Sequence, residues 1–182
     1  MGTKFLQKSL VAVVFSLLLI LLYIGFRFKK IGGLTGGLMA VLALLNDLMV
    51  VFGTFVLLRT ALDGNFIAAM LTILGYSIND TVVIYDRIRE NSALYGKKQM
   101  SLAELVNLSV NQSFARSLMT SITTCLALGV VCVVSVIYRL DSIYSFAFPL
   151  LFGMVSGVYS TICIATPLWV DWKNKKKAAK KA

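Results

Sequence analysis

Five long apolar runs constrain this chain more than any other feature of its sequence. A helix needs about 20 predominantly apolar residues to cross a bilayer. Hydrophobic residues make up 58% of the chain, above the roughly 45–50% of soluble domains. The sequence therefore predicts an all-α integral membrane protein with five transmembrane helices. The predicted spans are residues 7–26, 34–58, 66–85, 115–137 and 143–171.

Two polar segments interrupt or follow the predicted transmembrane domain, which covers residues 1–172. In residues 86–114, the stretch SLAELVNLSVNQSF has apolar residues at mostly helical spacing, and Ser101 with Glu104 fits a capping box. We predict a cytoplasmic amphipathic helix here, lying on the membrane surface or against the bundle. A solvated connector is the alternative. Residues 173–182 form a basic tail.

Basic residues are distributed unequally between the two sides that five spans define. One side holds thirteen and the other holds four. The thirteen are Arg27, Lys29, Lys30, Arg87, Arg89, Lys97, Lys98 and the six tail lysines, and the four are Lys4, Lys8, Arg59 and Arg139. Because basic residues concentrate on the cytoplasmic side, we predict a cytoplasmic C-terminus and an external N-terminus. An external N-terminus leads us to expect an upstream part in a longer protein.

The net charge of +10 bears on the partners of the chain. The charges lie in short gaps between apolar runs and in the tail, and not on one folded basic face, which argues against a nucleic-acid partner. Basic segments beside membrane spans are typical of contacts with anionic lipid headgroups. Membrane lipid is therefore an expected partner.

Three charged residues fall within predicted spans or close to their ends: Asp47, Asp80 and Arg116. A charge at the centre of a membrane helix costs about 2.5–3.5 kcal/mol on insertion scales. Such residues face the interior of a bundle, where they have a partner or a function. Asp80 and Arg116 lie in the same half of neighbouring spans, so the sequence favours a meeting between them.

Polar side chains share a helix face with each of these two residues. On the third span Ser77 and Thr81 lie on the face of Asp80, with Asn79 about 100° around the helix. On the fourth span Arg116 begins a stripe of hydroxyl side chains. The stripe consists of Thr120, Thr123 and Thr124, with Ser117 and Ser121 on its flank. These hydroxyls either line a short water chain or bond the backbone of their own helix.

Two interpretations of Asp80 and Arg116 remain open. The first is a fixed ion pair that docks two helices. The second is a protonatable carboxylate controlled by the arginine, because burial favours the neutral form of a carboxyl group and a nearby guanidinium favours the charged form. Asp47 is then either a second relay point or a hydrogen-bonded contact between helices.

The sequence lacks the residues and motifs that several classes of function require. It contains no histidine, and its three cysteines lie inside apolar runs. No combination of nucleophile and base and no phosphate-binding glycine loop is present, since GGLTGG lacks the GK[ST] ending. We therefore expect no enzyme activity, no metal site and no cofactor.

Two long blocks resemble the SecF branch of the SecD/SecF protein-export family. They are GYSINDTVVIYDRIREN (75–91) and SLAELVNLSVNQSFARSLMTSITT (101–124). The stretch ALLNDLMV (43–50) is similar to a family segment that carries His-Asp, with Asn46 in the histidine position. The resemblance extends through nearly the whole chain.

This resemblance implies a transmembrane bundle of the resistance-nodulation-division type. It implies a SecD-like partner subunit, the SecY/SecE/SecG channel and exported polypeptide as partners, and a location in the bacterial cytoplasmic (inner) membrane. The function implied is coupling of the proton-motive force to polypeptide export. By motif match, Asp80 is the proton-responsive carboxylate, Arg116 lies beside the path, and Asp47 is the aspartate of the His-Asp pair.

The family's first span and external domain have no counterpart here, so the resemblance also leads us to expect a longer protein. Two alternative functions stay open. One is a proton-driven exporter of lipids or small molecules with the same transmembrane type. The other is a non-transporting assembly subunit in which Asp80 and Arg116 only join helices.

Overall fold

The computed structural model describes residues 2–179, and the side chains of that range apart from 2–6, 30, 96–99 and 177. Its elements are α1 (Gly2–Arg27), a 3₁₀ turn (Lys29–Ile31), α2 (Gly33–Leu57), α3 (Gly64–Gln99), α4 (Leu102–Ile137), α5 (Asp141–Tyr159), a π-helical segment (Ser160–Ala165) and α6 (Thr166–Ala178). The described residues contain helices and no strand, which confirms the predicted all-α fold.

Five helical stretches are long and apolar enough to cross a membrane. They are Gln7–Arg27, Gly33–Leu57, Gly64–Tyr95, Leu102–Ile137 and Asp141–Lys176. Each predicted span coincides with one of these stretches or lies inside it to within one residue. The last stretch combines α5, the π-helical segment and α6. The ends of the predicted domains, Met1 and residues 180–182, lie outside the described residues.

Helices α3 and α4 extend well beyond the apolar runs from which they were predicted. Past the apolar part of α3, Arg87 pairs with Glu90 and Arg89 pairs with Asp86, both at 2.6 Å and three residues apart along the helix. Opposite charges at this spacing support an exposed helix. The connector 86–114 is thus helical on both sides of a short break at residues 100–101.

A capping box starts α4, as the sequence predicts. Ser101 Oγ accepts a hydrogen bond from the backbone N–H of Glu104, and Glu104 Oε2 accepts one from the backbone N–H of Ser101. Each side chain satisfies a backbone donor that the first helical turn leaves free. This cap fixes the point at which α4 begins and the direction in which it leaves the connector.

Glycines bring α1, α2, α3 and α5 into close contact. A Cβ atom at Gly33 would lie 2.6 Å from the carbonyl oxygen of Gly25, and one at Gly153 would lie 2.5 Å from Val51 Cγ2. A Cβ atom at Gly157 would lie 3.2 Å from Ser77 Cβ. Small residues at such positions let membrane helices approach closely. The approach of α5 to α3 positions the polar groups described below.

The end of the chain packs back against the α1–α2 turn. Trp169 of α6 is buried, with its ring centroid 5.9 Å from that of Tyr85 on α3. The ammonium group of Lys173 donates to the carbonyl of Ile31. Gly32 follows with a φ of 94°, a left-handed conformation that glycine adopts without strain. These contacts fix α6 relative to α2 and α3.

Candidate functional site

A fully buried carboxylate on α2 is bonded by three hydroxyl groups. Asp47 Oδ2 accepts hydrogen bonds from Ser77 Oγ at 2.6 Å and Ser160 Oγ at 2.8 Å. Asp47 Oδ1 accepts one from Ser156 Oγ at 2.6 Å. The donors come from α3, α5 and the π-helical segment, so one side chain joins three elements. Asp47 has no exposed surface, and the hydroxyls replace the water it would otherwise bind.

The π-helical segment presents two consecutive residues to the interior. Ser160 bonds Asp47, and Thr161 Oγ1 lies 3.0 Å from Thr81 Oγ1 on α3. Asn46 Nδ2 extends the network by donating to Ser156 Oγ at 3.2 Å. A π-helical turn contains an extra residue relative to an α-helix and is frequent at functional sites. Here the π-helical turn lets Ser160 contact Asp47 on α2 while Thr161 contacts Thr81 on α3.

The second buried carboxylate faces α4 and is not satisfied in the same way. Asp80 is 5% exposed, and its Oδ2 has no hydrogen-bonding partner. Ser117 Oγ on α4 is also buried without a partner. Ser117 and Arg116 of α4 lie near the Asp80 carboxylate. Among the described residues, no ion pair within 4 Å joins Asp80 to Arg116.

Asp80 lies within a polar seam between α3 and α4. On one side of it, Tyr76 Oη donates to Ser121 Oγ at 3.1 Å. On the other side, Asn91 Nδ2 donates to Ser109 Oγ at 2.8 Å. The two helices are thus joined by hydrogen bonds before and after Asp80, and the bonding is incomplete at Asp80 itself.

The predicted threonines of α4 bond the backbone of their own helix. Thr120 and Thr123 are exposed, and they donate to the carbonyls of Arg116 and Met119 on their own helix. Thr124 is half-buried and bonds the carbonyl of Thr120. The sequence left open whether these hydroxyls line a water chain or bond the backbone of their own helix, and in the structure they bond the backbone. Arg116 and Asn79 are exposed as well.

Sequence reasoning missed Ser156 and Ser160, two of the three serines that bond Asp47. Ser156 and Ser160 recur four residues apart on the fifth span, a spacing that places both on one helix face. The same spacing of four repeats on α4. Its members are Ser109, Ser113, Ser117 and Ser121, all buried. This repeat was the available signal, and it identifies the α4 face that packs on α3.

No group of three or more His, Cys, Asp or Glu side chains that could hold a metal occurs among the described residues. The polar interior instead consists of two carboxylates, hydroxyls and amides. Groups of this kind are typical of proton or ion paths inside helical bundles. The fold and site together define a multi-pass helical membrane protein with ionisable groups in its interior.

Comparison with known proteins identifies the family within this class that the chain matches. The chain matches the family described as "Protein export membrane protein SecD/SecF, C-terminal" over residues 1–175. It is 42% identical over 179 residues to the protein translocase subunit SecF of Sebaldella termitidis, covering 98% of this chain and 55% of that protein. It is 40% identical over 178 residues to the protein translocase subunit SecDF of Thermus thermophilus, covering 97% of this chain and 23% of that protein.

Solved structures agree with this assignment. The fold matches a crystal structure of SecDF in a super-membrane-facing form with a TM-score of 0.83 and 40% identity, covering all of this chain and 24% of the other. A crystal structure of SecDF from Thermus thermophilus matches with a TM-score of 0.81, covering 92% of this chain and 22% of the other. The chain belongs to the SecD/SecF family of protein export membrane proteins. It spans about half the length of the curated SecF relatives described above.

Proposed function

We propose that this chain is the SecF-like membrane part of the Sec translocation machinery and couples the proton-motive force to polypeptide export. The names of its relatives, translocase subunits SecF and SecDF, support the export role. In this proposal the chain is not an enzyme. Asp80 takes up and releases the proton, Arg116 biases that exchange, and Asp47 is a second relay point.

One observation carries the proposal: the incomplete bonding of Asp80. Its Oδ2 and the hydroxyl of Ser117 are both buried and unbonded, whereas the seam is closed at Tyr76 and Asn91. A buried polar atom without a partner costs free energy, which a proton or a water molecule at that point would recover. The carboxylate is thus placed where a change in protonation would alter the fit between α3 and α4.

Asp47 connects to Asp80 through helix α3. The bonded Ser77 lies one turn before Asp80, and Thr81, which contacts Thr161, directly follows it. A rotation of α3 that repositions Asp80 would therefore strain the bonds at Asp47. This connection supports a relay in which the two carboxylates respond to the same movement of α3, with Ser77 and Thr81 as supporting groups.

A SecD-like subunit is the partner that the proposal requires. Fused SecDF relatives contain the matching region within a longer chain. The outer face of α4 carries Arg116, Thr120 and Thr123 exposed within a helix that is long and apolar enough to span a membrane. Polar groups are costly against lipid. We propose that the SecD-like subunit covers this face.

In the proposed arrangement the protein lies in the bacterial cytoplasmic membrane. The connector 86–114 and the basic tail are cytoplasmic, and the N-terminal end of α1 is external. The SecY/SecE/SecG channel and the exported polypeptide complete the machinery. The bias of basic residues supports this orientation.

The test is export of a secreted protein with and without a proton gradient, using the full protein and its SecD-like partner. We compare Asp80→Asn with wild type at equal membrane levels. Asp63→Asn is the matched control, because Asp63 is the exposed N-cap of the same helix and asparagine caps equally well. We expect Asp80→Asn to assemble and to lose the gradient response, and Asp63→Asn to keep it.

Two other outcomes would favour the competing functions. A lower abundance of Asp80→Asn, with normal gradient response per assembled complex, would indicate an assembly subunit in which Asp80 joins helices. Unchanged protein export, with loss of the efflux of a lipid or small molecule, would indicate an exporter of those compounds. Either result would reject proton-coupled protein export through Asp80.

A further inference from the structure

A groove with basic side chains lies where α1 ends beside α3. Its volume is about 590 Å³, and its walls include Phe26, Arg27, Lys29, Asp86 and Arg89. None of these residues belongs to the site of Asp47 and Asp80. Three cations face this groove, and Glu90, a second carboxylate in its wall, pairs with Arg87 at 2.6 Å. The groove therefore keeps an excess of positive charge.

Two of the cations are held in place. Arg27 Nη2 and Arg89 Nη2 both contact Asp86 Oδ1, at 3.2 Å and 2.6 Å. Both guanidinium carbons also lie near the buried ring of Phe28, 5.4 Å and 5.9 Å from its centroid. Each guanidinium has five N–H donors, so one contact with a carboxylate oxygen leaves most of them available for an anion.

The third cation, Lys29, lies beside an aromatic side chain. Lys29 Nζ lies 5.7 Å from the ring centroid of Phe26. Phe26 is 72% exposed, and its ring forms an apolar wall beside the basic groups. The site therefore combines positively charged donors with an apolar edge.

An apolar surface runs from this groove along α1. Leu19, Leu22 and Phe26 are exposed on this helix, and only 11% of its most apolar 18-residue window is buried. This surface suits an acyl chain, since it lies along a stretch that is long enough to cross a membrane. A basic groove and an exposed apolar surface thus meet at one end of α1.

We propose that this groove binds the headgroup of an anionic phospholipid. Arg27 and Arg89 bind its phosphate, because planar guanidinium groups suit phosphate oxygens. Lys29 adds a point charge, and one acyl chain lies along α1 past Phe26. The lipid would join the end of α1 to α3 at Arg89, nine residues after Asp80, where α3 leaves the apolar region.

The test measures retention of dioleoyl-phosphatidylglycerol by native mass spectrometry on the full protein with its SecD-like partner. Dioleoyl-phosphatidylcholine is the neutral comparison lipid. The test variant is Arg27→Gln/Arg89→Gln. The matched control is Lys175→Gln/Lys176→Gln, which removes the same charge from exposed positions of α6. Lys29→Gln serves as a second, milder variant should the double arginine variant fail to fold.

We expect the arginine variant to weaken phosphatidylglycerol binding by about tenfold or more, and the control to change it less than about twofold. Lys29→Gln should weaken it measurably. Equal losses in the arginine and lysine variants would mean general electrostatic attraction and would overturn the proposal. Equal retention of both lipids would also overturn it, as would equally tight binding of soluble glycerophosphoglycerol, which has no acyl chain.

Discussion

Ser77 Oγ donates a 2.6 Å hydrogen bond to Asp47 Oδ2, and this bond joins the two buried carboxylates through one turn of α3. Asp47 is fully bonded by three hydroxyls, whereas Asp80 Oδ2 on the next turn has no partner. The two carboxylates therefore differ in how completely they are hydrogen-bonded. One is fixed by its surroundings, and the other is positioned where protonation can change its contacts.

Ser77→Ala tests the strength of this junction. The substitution removes one of three donors to a buried carboxylate, and hydrogen bonds to charged groups contribute about 1.5–3 kcal/mol. We expect the free energy of unfolding to fall by that amount, measured by denaturant unfolding in detergent. Ser135→Ala is the control, because the buried Ser135 hydroxyl donates to the carbonyl of Val131 on its own helix. Equal losses in both variants would contradict the assigned role of Ser77.

Arg116→Gln tests whether the arginine controls Asp80 without a direct ion pair. In the proposed function the guanidinium biases the proton exchange of Asp80, so its loss should reduce the gradient-dependent part of export. Arg116→Lys keeps the charge and should preserve part of that response. The control is Arg139→Gln, two residues beyond the C-terminal end of the same helix. A normal gradient response in Arg116→Gln would remove Arg116 from the proposed relay.

Removal of Cys163 from the π-helical segment tests why that segment exists. A π-turn takes up one extra residue, so the deletion turns the segment into an α-helix and leaves the residues after it in register. The turn that presents Ser160 and Thr161 together to Asp47 and Thr81 is then lost, while Trp169 keeps its place beside Tyr85. In a Trp172→Phe background, we expect a lower melting temperature with unchanged Trp169 fluorescence. Cys163→Ala keeps the residue count and should leave the melting temperature unchanged; a deletion that matches it would count against this explanation.

Gly153→Ala tests the close packing of α5. The added Cβ would lie 2.5 Å from Val51 Cγ2 and 3.0 Å from Ile73 Cγ1. Overpacking of this kind costs about 1–3 kcal/mol, measured as a loss of unfolding free energy in detergent. Gly75→Ala is the matched substitution, since nothing lies within 4 Å of the added Cβ. It should be neutral or stabilising, and a stabilising Gly153→Ala would refute the packing argument.

The sequence predicted the helices well because hydrophobic length and turn signals are local properties. The capping box of Ser101 and Glu104 is readable from four residues, and the structure forms it. The site was harder to predict because it depends on how each helix is rotated. Arg116 drew attention to the threonine face of α4, yet the serine face packs on α3. Serines fit a close helix contact, while an arginine at that contact would hold the helices apart.

Contacts made across the fold had only a weak local signal, the four-residue spacing of the serines. Ser156 and Ser160 bond Asp47 from more than 100 positions along the chain. A hydroxyl in a membrane span commonly bonds its own helix, so these two serines did not stand out. The π-helical segment also contains one extra residue, which the regular spacing of an α-helix does not predict.

The most direct test is to observe the protonation of Asp80 itself. Infrared difference spectra of the full protein and its SecD-like partner in proteoliposomes are recorded as a proton gradient is imposed and collapsed. We expect a carboxylic-acid carbonyl band that follows the gradient, disappears in Asp80→Asn and persists in Asp63→Asn. A gradient-dependent band that remains in Asp80→Asn, or no such band in the wild type, would contradict the claim that Asp80 exchanges the proton.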